Sequence, residues 1–176
     1  MKKSSAPQNV LIIDSDYDEA SGFIKGVQEI TQEKWKVALY ENNTIYGIGR
    51  YIKFFTVALK TILSASEYEG KTVLCWQQFY GIAIAFFCRL FHLKKKYRLV
   101  IMTFIYKQKR GLPGKIFYHF VKYAITSQYV DKIILTTQSE SLMYKNIFGM
   151  DEQRFSFAKC GAIQYEAEQF DDNELK

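Results

Sequence analysis

Residues 131–161 read DKIILTTQSESLMYKNIFGMDEQRFSFAKCG, and this stretch decides how the chain folds. Ile133, Ile134 and Leu135 form a continuous apolar run, the pattern of a strand buried on both faces. A polar turn follows, in which Ser139 is placed to cap a helix, with no acid three positions later to complete a capping box. Leu142, Tyr144, Ile147 and Phe148 give that helix an apolar face, and Gly149 is placed for a left-handed C-terminal cap. Phe155 and Phe157 alternate with polar neighbours, which predicts a strand over 154–159. The whole is one repeat of an open parallel sheet. Its turn lies at the carboxyl end of a strand, where such sheets bind ligands.

The same alternation extends backwards to the start of the chain. Strands are predicted at 10–14, 35–40, 72–76 and 97–103, and helices at 21–34, 44–66, 78–91 and 115–129. A turn is expected at Glu41-Asn42-Asn43 and a loop at 107–114, marked by Gly111, Pro113 and Gly114. In the helix over 44–66, Ile45, Ile48, Ile52, Phe55, Leu59 and Ile62 step by three and four and predict its buried stripe. The helix over 78–91 is apolar on more than one side and should be deeply packed. Strands and helices that alternate in this way predict an α/β fold: a Rossmann-like, doubly wound, mainly parallel sheet with helices on both faces. Residues 9–165 form one domain in this reading. Residues 1–8 are a disordered N-terminus, and 166–176 an acidic tail or linker with Glu166, Glu168, Asp171, Asp172 and Glu174.

The length of 176 residues suits one domain with a sizeable core. Thirteen Tyr and fourteen Phe exclude a largely disordered chain. Cys75, Cys88 and Cys160 are odd in number and lack metal-ligand spacing, so free thiols in a reducing compartment are expected, with no metal and no cofactor. The longest apolar run, 79–91, is broken by Arg89 and is shorter than the roughly 20 residues of a membrane span. The N-terminus lacks the apolar stretch of a signal peptide. A cytoplasmic protein is expected, with the inner face of the membrane as one location. The net charge of +6 concentrates in a cluster that includes Lys94, Lys95, Lys96, Lys107, Lys109 and Arg110. It reads as a solvated face or as a peripheral membrane surface for anionic headgroups, with Phe86, Phe91, Tyr106 and Phe117 nearby. No nucleic-acid motif accompanies it, so no nucleic-acid partner is expected.

The order of these features resembles the N-terminal domain of GT-B glycosyltransferases, in particular the large retaining group that uses nucleotide-sugar donors. The resemblance rests on a strand, a Thr-Gln-Ser-Glu turn (137–140), a helix with Tyr144 that ends Phe148-Gly149, an acidic turn, an Arg-Phe-Ser-Phe strand and Gly161. Less sharply, it covers most of 9–165. It implies an acceptor-binding domain in polysaccharide or glycolipid synthesis. The acceptor would be a sugar, lipid-linked in the reading preferred here. The nucleotide-sugar donor would be held by a further domain or partner chain. Length leaves no room for a second domain of this size, so the chain alone should be inactive.

Open-sheet logic gathers the candidate cleft residues on one rim: Asp14 and Ser15; Gln77 and Gln78; Thr103, Tyr106 and Lys107; Ser139 and Glu140 with Thr137 and Gln138. Trp76 or Phe79 could supply an aromatic platform for a sugar. The resemblance implies that a glycine in the first loop approaches the donor diphosphate, and Gly22 stands in that place. The usual second glycine is missing. No catalytic residue is assigned. His92 reads as a helix-end residue, and His119 lies within a helix. Two alternatives remain. Asp14-x-Asp16 resembles the opening of haloacid-dehalogenase-type phosphatases, with Thr136, Lys159 and Asp171-Asp172 in a matching order but Asp18 where a threonine belongs. The other alternative is a non-catalytic, membrane-peripheral interaction domain of the same fold.

Overall fold

The chain alternates β1 (Asn9–Ile13), α1 (Tyr17–Thr31), β2 (Trp35–Leu39), α2 (Ile48–Leu63), β3 (Thr72–Cys75), α3 (Gln78–Leu90), β4 (Arg98–Ile101), α4 (Gly111–Ile125), β5 (Val130–Leu135), α5 (Gln138–Phe148) and β6 (Phe155–Phe157). This is a computed structural model and describes residues 6–14, 17–40 and 48–158. Six parallel strands form one sheet in the order β2-β1-β3-β4-β5-β6. The chain steps from β1 to β2 in one direction and from β2 onward in the other. Right-handed crossovers therefore put α1 on one face and α2 to α5 on the other. The fold is the expected doubly wound α/β sheet with helices on both faces.

The two faces are unequally filled. On the α1 side, Ile24 and Phe23 pack on Leu11, Ile13, Leu74 and Met102. On the other side Val10, Ile12, Cys75, Leu99, Ile101 and Ile133 meet the apolar faces of the remaining helices in the main core. Within that core α3 is the most enclosed element, with Tyr80 to Ala85 all buried. Such a run has no polar side, as expected for a helix covered on several sides. Gly81 makes this possible: a Cβ there would lie 2.6 Å from Ile101 Cγ1 and 3.4 Å from Cys75 Cβ.

Two polar side chains fix the strand register. Buried Asn9 accepts from the Thr72 amide at 2.9 Å and donates to Glu33. Asp131 sits at the bulge between β4 and β5, where its carboxylate accepts from the Leu99 amide at 2.9 Å and pairs with Lys95 at 2.8 Å. Arg154 donates to the carbonyls of Ser127 and Val130.

Several boundaries and faces differ from those read off the sequence. The stripe that α2 buries is Phe54, Val57, Ala58 and Thr61, whereas Ile52 and Leu59 of the expected stripe are exposed. This helix has two apolar stripes, and periodicity alone does not say which one meets the sheet. In α5 the core positions are Ser141, Tyr144 and Phe148, and Leu142 faces solvent. Ser141 is tolerated there because its hydroxyl donates to the Gln138 carbonyl at 2.7 Å. Helix α4 begins at Gly111, inside the expected loop, with Pro113 in its first turn, where a missing N–H costs nothing. Gly149 has the expected left-handed conformation, φ 70°, and its amide bonds the Lys145 carbonyl. Gln8 of the expected disordered N-terminus is placed by a bond from its amide to the Glu67 carbonyl. Residues 1–5, the Glu41–Asn43 turn, Cys160 and the 166–176 tail lie outside the described residues.

Gly81→Ala should lower stability by about 1–3 kcal/mol, because Ile101 must leave its rotamer to admit the methyl group. Gly22→Ala is the control. It lies within α1 with nothing near a Cβ, and should be neutral or stabilising by up to about 1 kcal/mol. Urea unfolding of the two variants checks the contrast.

Candidate functional site

In this strand order the topological switch lies between β1 and β3, and ligands of open α/β sheets bind outside the carboxyl ends of the strands at such a switch. Asp14 leaves β1 at that point with a side chain only 10% exposed, and its Oδ2 lies 3.6 Å from Arg50 Nη2 of α2. Tyr80 of α3 is fully buried beside them, and its hydroxyl has no hydrogen-bond partner among the described residues. Its ring packs edge-on against Phe54 at 4.9 Å and lies 6.1 Å from Tyr40. Burial first, and the Asp14 carboxylate second, push the Tyr80 hydroxyl far up, against an opposing effect of Arg50. At neutral pH it is therefore an uncharged donor. Of the three, the Arg50 guanidinium is half-exposed and presents donors at the rim, the kind that sugar hydroxyls or a phosphate accept from.

Sequence reasoning found Asp14 but missed Arg50 and Tyr80. The first lies in the opening turn of α2, and only the crossover onto the switch brings it to β1. The second is hidden in an apolar helix, where a lone Tyr reads as core.

Parallel pairing puts the other candidates on the same rim, but most are engaged in building it. Gln77 caps α3 by accepting from the Phe79 amide at 2.5 Å. Gln78 clamps the loop after β4: its Nε2 donates to the Ile105 carbonyl at 3.0 Å and its Oε1 accepts from the Ile105 amide at 2.9 Å. Thr103, at the head of that loop, has φ 49°, a strained value for a β-branched residue, and its hydroxyl donates to the Trp76 carbonyl at 2.6 Å. Tyr106 is buried; its amide donates to the Tyr144 hydroxyl at 3.0 Å, and its own hydroxyl is unpartnered among the described residues. Lys107 is exposed at the loop's far end.

The capping box excluded by the sequence reading exists two residues earlier than sought, with Thr137 as the N-cap and Glu140 as the acid. Glu140 accepts from the amides of Thr136 and Thr137 and from the Thr136 hydroxyl, and Ser139 bonds Thr137. Burial alone would raise the Glu140 pKa, but these bonds together hold it below the usual carboxylate value. Gly22 is not in the first loop at all. It lies inside α1, which begins at Tyr17, and so cannot bring a loop backbone to a phosphate. Ser15, Asp16 and the Lys159 and Asp171-Asp172 positions of the phosphatase alternative lie outside the described residues.

The aromatic candidates divide between the two faces of the sheet. Trp76 packs edge-on against Phe23 at 4.6 Å on the α1 side, and Phe79 stacks on Phe54 at 5.4 Å on the other. His92 ends α3 with φ 49°, and His119 is exposed on α4. Cys75 and Cys88 are buried, and burial pushes both thiols up. No three His, Cys, Asp or Glu side chains converge among the described residues. No described helix is long and apolar enough to cross a membrane. No protein-family model matches the chain, and no curated protein matches it significantly.

Two consequences can be measured. Gln78→Leu removes both bonds to Ile105, each worth about 1 kcal/mol. Exchange of the Ile105 amide should therefore quicken at least about fivefold while the Leu99 amide is unaffected. The lowered Glu140 pKa contributes stability that is present above the unfolded value and is lost as pH falls through the folded one. Glu140→Gln should therefore lower the melting temperature at neutral pH and flatten its fall on acidification to about pH 3.

Proposed function

We propose that this domain is the acceptor-side half of a GT-B glycosyltransferase. It presents a saccharide, lipid-linked in the reading preferred here, to a nucleotide sugar held by a second domain across the rim. One observation carries the reading: the β1/β3 switch holds the Asp14–Arg50 pair with the Arg50 side chain 48% exposed, while Gln77, Gln78, Thr103 and Glu140 are engaged in shaping loops. Such a surface can recognise hydroxyl groups and cannot by itself supply the paired groups of a complete reaction centre. Gln77, Gln78 and Glu140 act in this proposal by setting loop positions. Arg50, half-exposed beside Asp14, touches the acceptor, and the buried Tyr80 stands behind the pair.

The phosphohydrolase alternative is less well supported. Asp18 stands where the phosphatase pattern has a threonine, and Asp14 is paired with Arg50 at 3.6 Å.

The chain should transfer no sugar from any nucleotide donor, yet titration with oligosaccharide acceptors should shift the amide resonances of Asp14 and Gln77 with weak, saturable affinity. Arg50→Ala should weaken that affinity about fivefold or more, the loss expected when a charged donor that holds a ligand is removed. Turnover by the isolated chain would refute the proposal. So would magnesium-dependent phosphate release abolished by Asp14→Asn.

A further inference from the structure

Helices α2, α3 and α4 carry no Asp or Glu. Between Gly70 and Val130 every charged side chain is Lys or Arg. On this face α2 presents Tyr51, 47% exposed, with Phe54 and Phe55 beside it. Across from it α4 exposes Leu112 (71%) and Ile116 (62%). Helix α3 is recessed between the two, so they form the sides of an open trough of about 470 Å³ with Phe79 and Ala83 along its floor. Lys107, Lys109, Arg110 and Lys115 are exposed at the α4 end, and none has an ion-pair partner among the described residues. The Lys109 ammonium lies 4.9 Å from the Phe117 ring that lines the trough.

The basic cluster is therefore divided. Lys94 to Lys96 precede β4 and lie at the opposite end of the sheet, and Lys95 is bound to Asp131 and the Gln128 carbonyl. Arg89 is likewise occupied, bonded to the Tyr123 carbonyl and stacked on its ring at 4.2 Å.

We propose that the α2–α4 face docks on an anionic lipid bilayer, with Tyr51 on one side of the trough and Leu112 and Ile116 on the other entering the headgroup–acyl boundary and the α4-end cations facing the headgroups. Charge selects this occupant. A protein interface carries both signs at its rim and few lysines. Here one sign covers three helices. Long lysine stems beside aromatic rings can lie along apolar surface while their ammonium groups reach phosphate. The proposal is independent of the glycosyl-transfer reading, since vesicle binding and acceptor binding are measured separately and each can fail alone.

The test is co-sedimentation of the full chain with phosphatidylcholine vesicles, with and without phosphatidylserine. Binding is expected only with phosphatidylserine, and added salt should weaken it. The triple variant Lys107→Glu, Arg110→Glu, Lys115→Glu should bind at least about tenfold more weakly, since each cation at such a surface contributes separately. Leu112→Asp with Ile116→Asp should also bind several-fold more weakly at low salt while keeping its salt dependence. All five positions are exposed, and unchanged melting curves confirm that the variants fold. Absence of binding, equal binding to both vesicle types, or a triple variant that binds like the parent would overturn the proposal. So would concentration-dependent self-association without vesicles that Leu112→Asp with Ile116→Asp abolishes, which would assign the face to a second copy of the chain.

Discussion

The seating of α3 against β3 and β4 is the constraint on which the rest depends. A side chain at Gly81 would meet Ile101 and Cys75, so the helix lies nearly flush with the sheet. A helix so placed buries its whole width, which is why residues 80–85 include no charged side chain. Its neighbours then have no room above it. They pack along its flanks, and a trough between α2 and α4 follows from a missing Cβ. Aromatic side chains fill the angles: Phe54, Phe79 and Phe117 are linked ring to ring from one flank to the other. Their edge-to-face and offset contacts add to area burial and fix the helices' rotation as well as their distance.

The same seating sets the rim. The α3 N-terminus follows β3 directly, so Gln77 and Gln78 project where the strand ends. One side chain satisfies the helix's own amide, and the other holds the next loop by both atoms of its amide group. Thr103 is thereby kept in a backbone conformation that a β-branched residue avoids when unsupported. Tyr144 continues the chain of supports from α5 to the Tyr106 amide. The rim is thus a set of loops braced in series, each by the neighbouring element. At the β1/β3 switch the half-exposed Arg50 is paired with Asp14 and shapes no described loop.

Much of the fold was legible in the sequence. Apolar runs marked the strands, Gly149 marked a helix end, and the alternation of elements implied parallel pairing. Helix rotation was not legible. In α2 two apolar stripes compete, and the winner is set by Phe54 and Val57 meeting α3, a contact between segments some thirty residues apart. The site was half legible for a similar reason. Carboxyl ends of strands can be listed from sequence, which found Asp14, Gln78 and Thr103. Whether a side chain there is free or spent depends on what lies opposite, and Glu140 shows how the local pattern misleads. Its role became visible only once Thr137, not Ser139, was seen to start the helix.

The two stripes of α2 also bear on why the helix is so apolar. A helix that needed only to cover a sheet would place polar residues outward, as α5 does with Lys145 and Asn146. Outward Ile52, Leu59 and Leu63 lower solubility and add nothing to the core. Lys107, Lys109, Arg110 and Lys115 likewise forgo, among the described residues, the ion pairs that Lys95 and Lys145 make elsewhere in the same chain. Both features disfavour a face that only meets water. Scattered single hydrophobic residues are normal on any surface. Tyr51, Leu112 and Ile116 framing an apolar trough, with charge of one sign beside them, form a contiguous patch of the kind that marks a binding face.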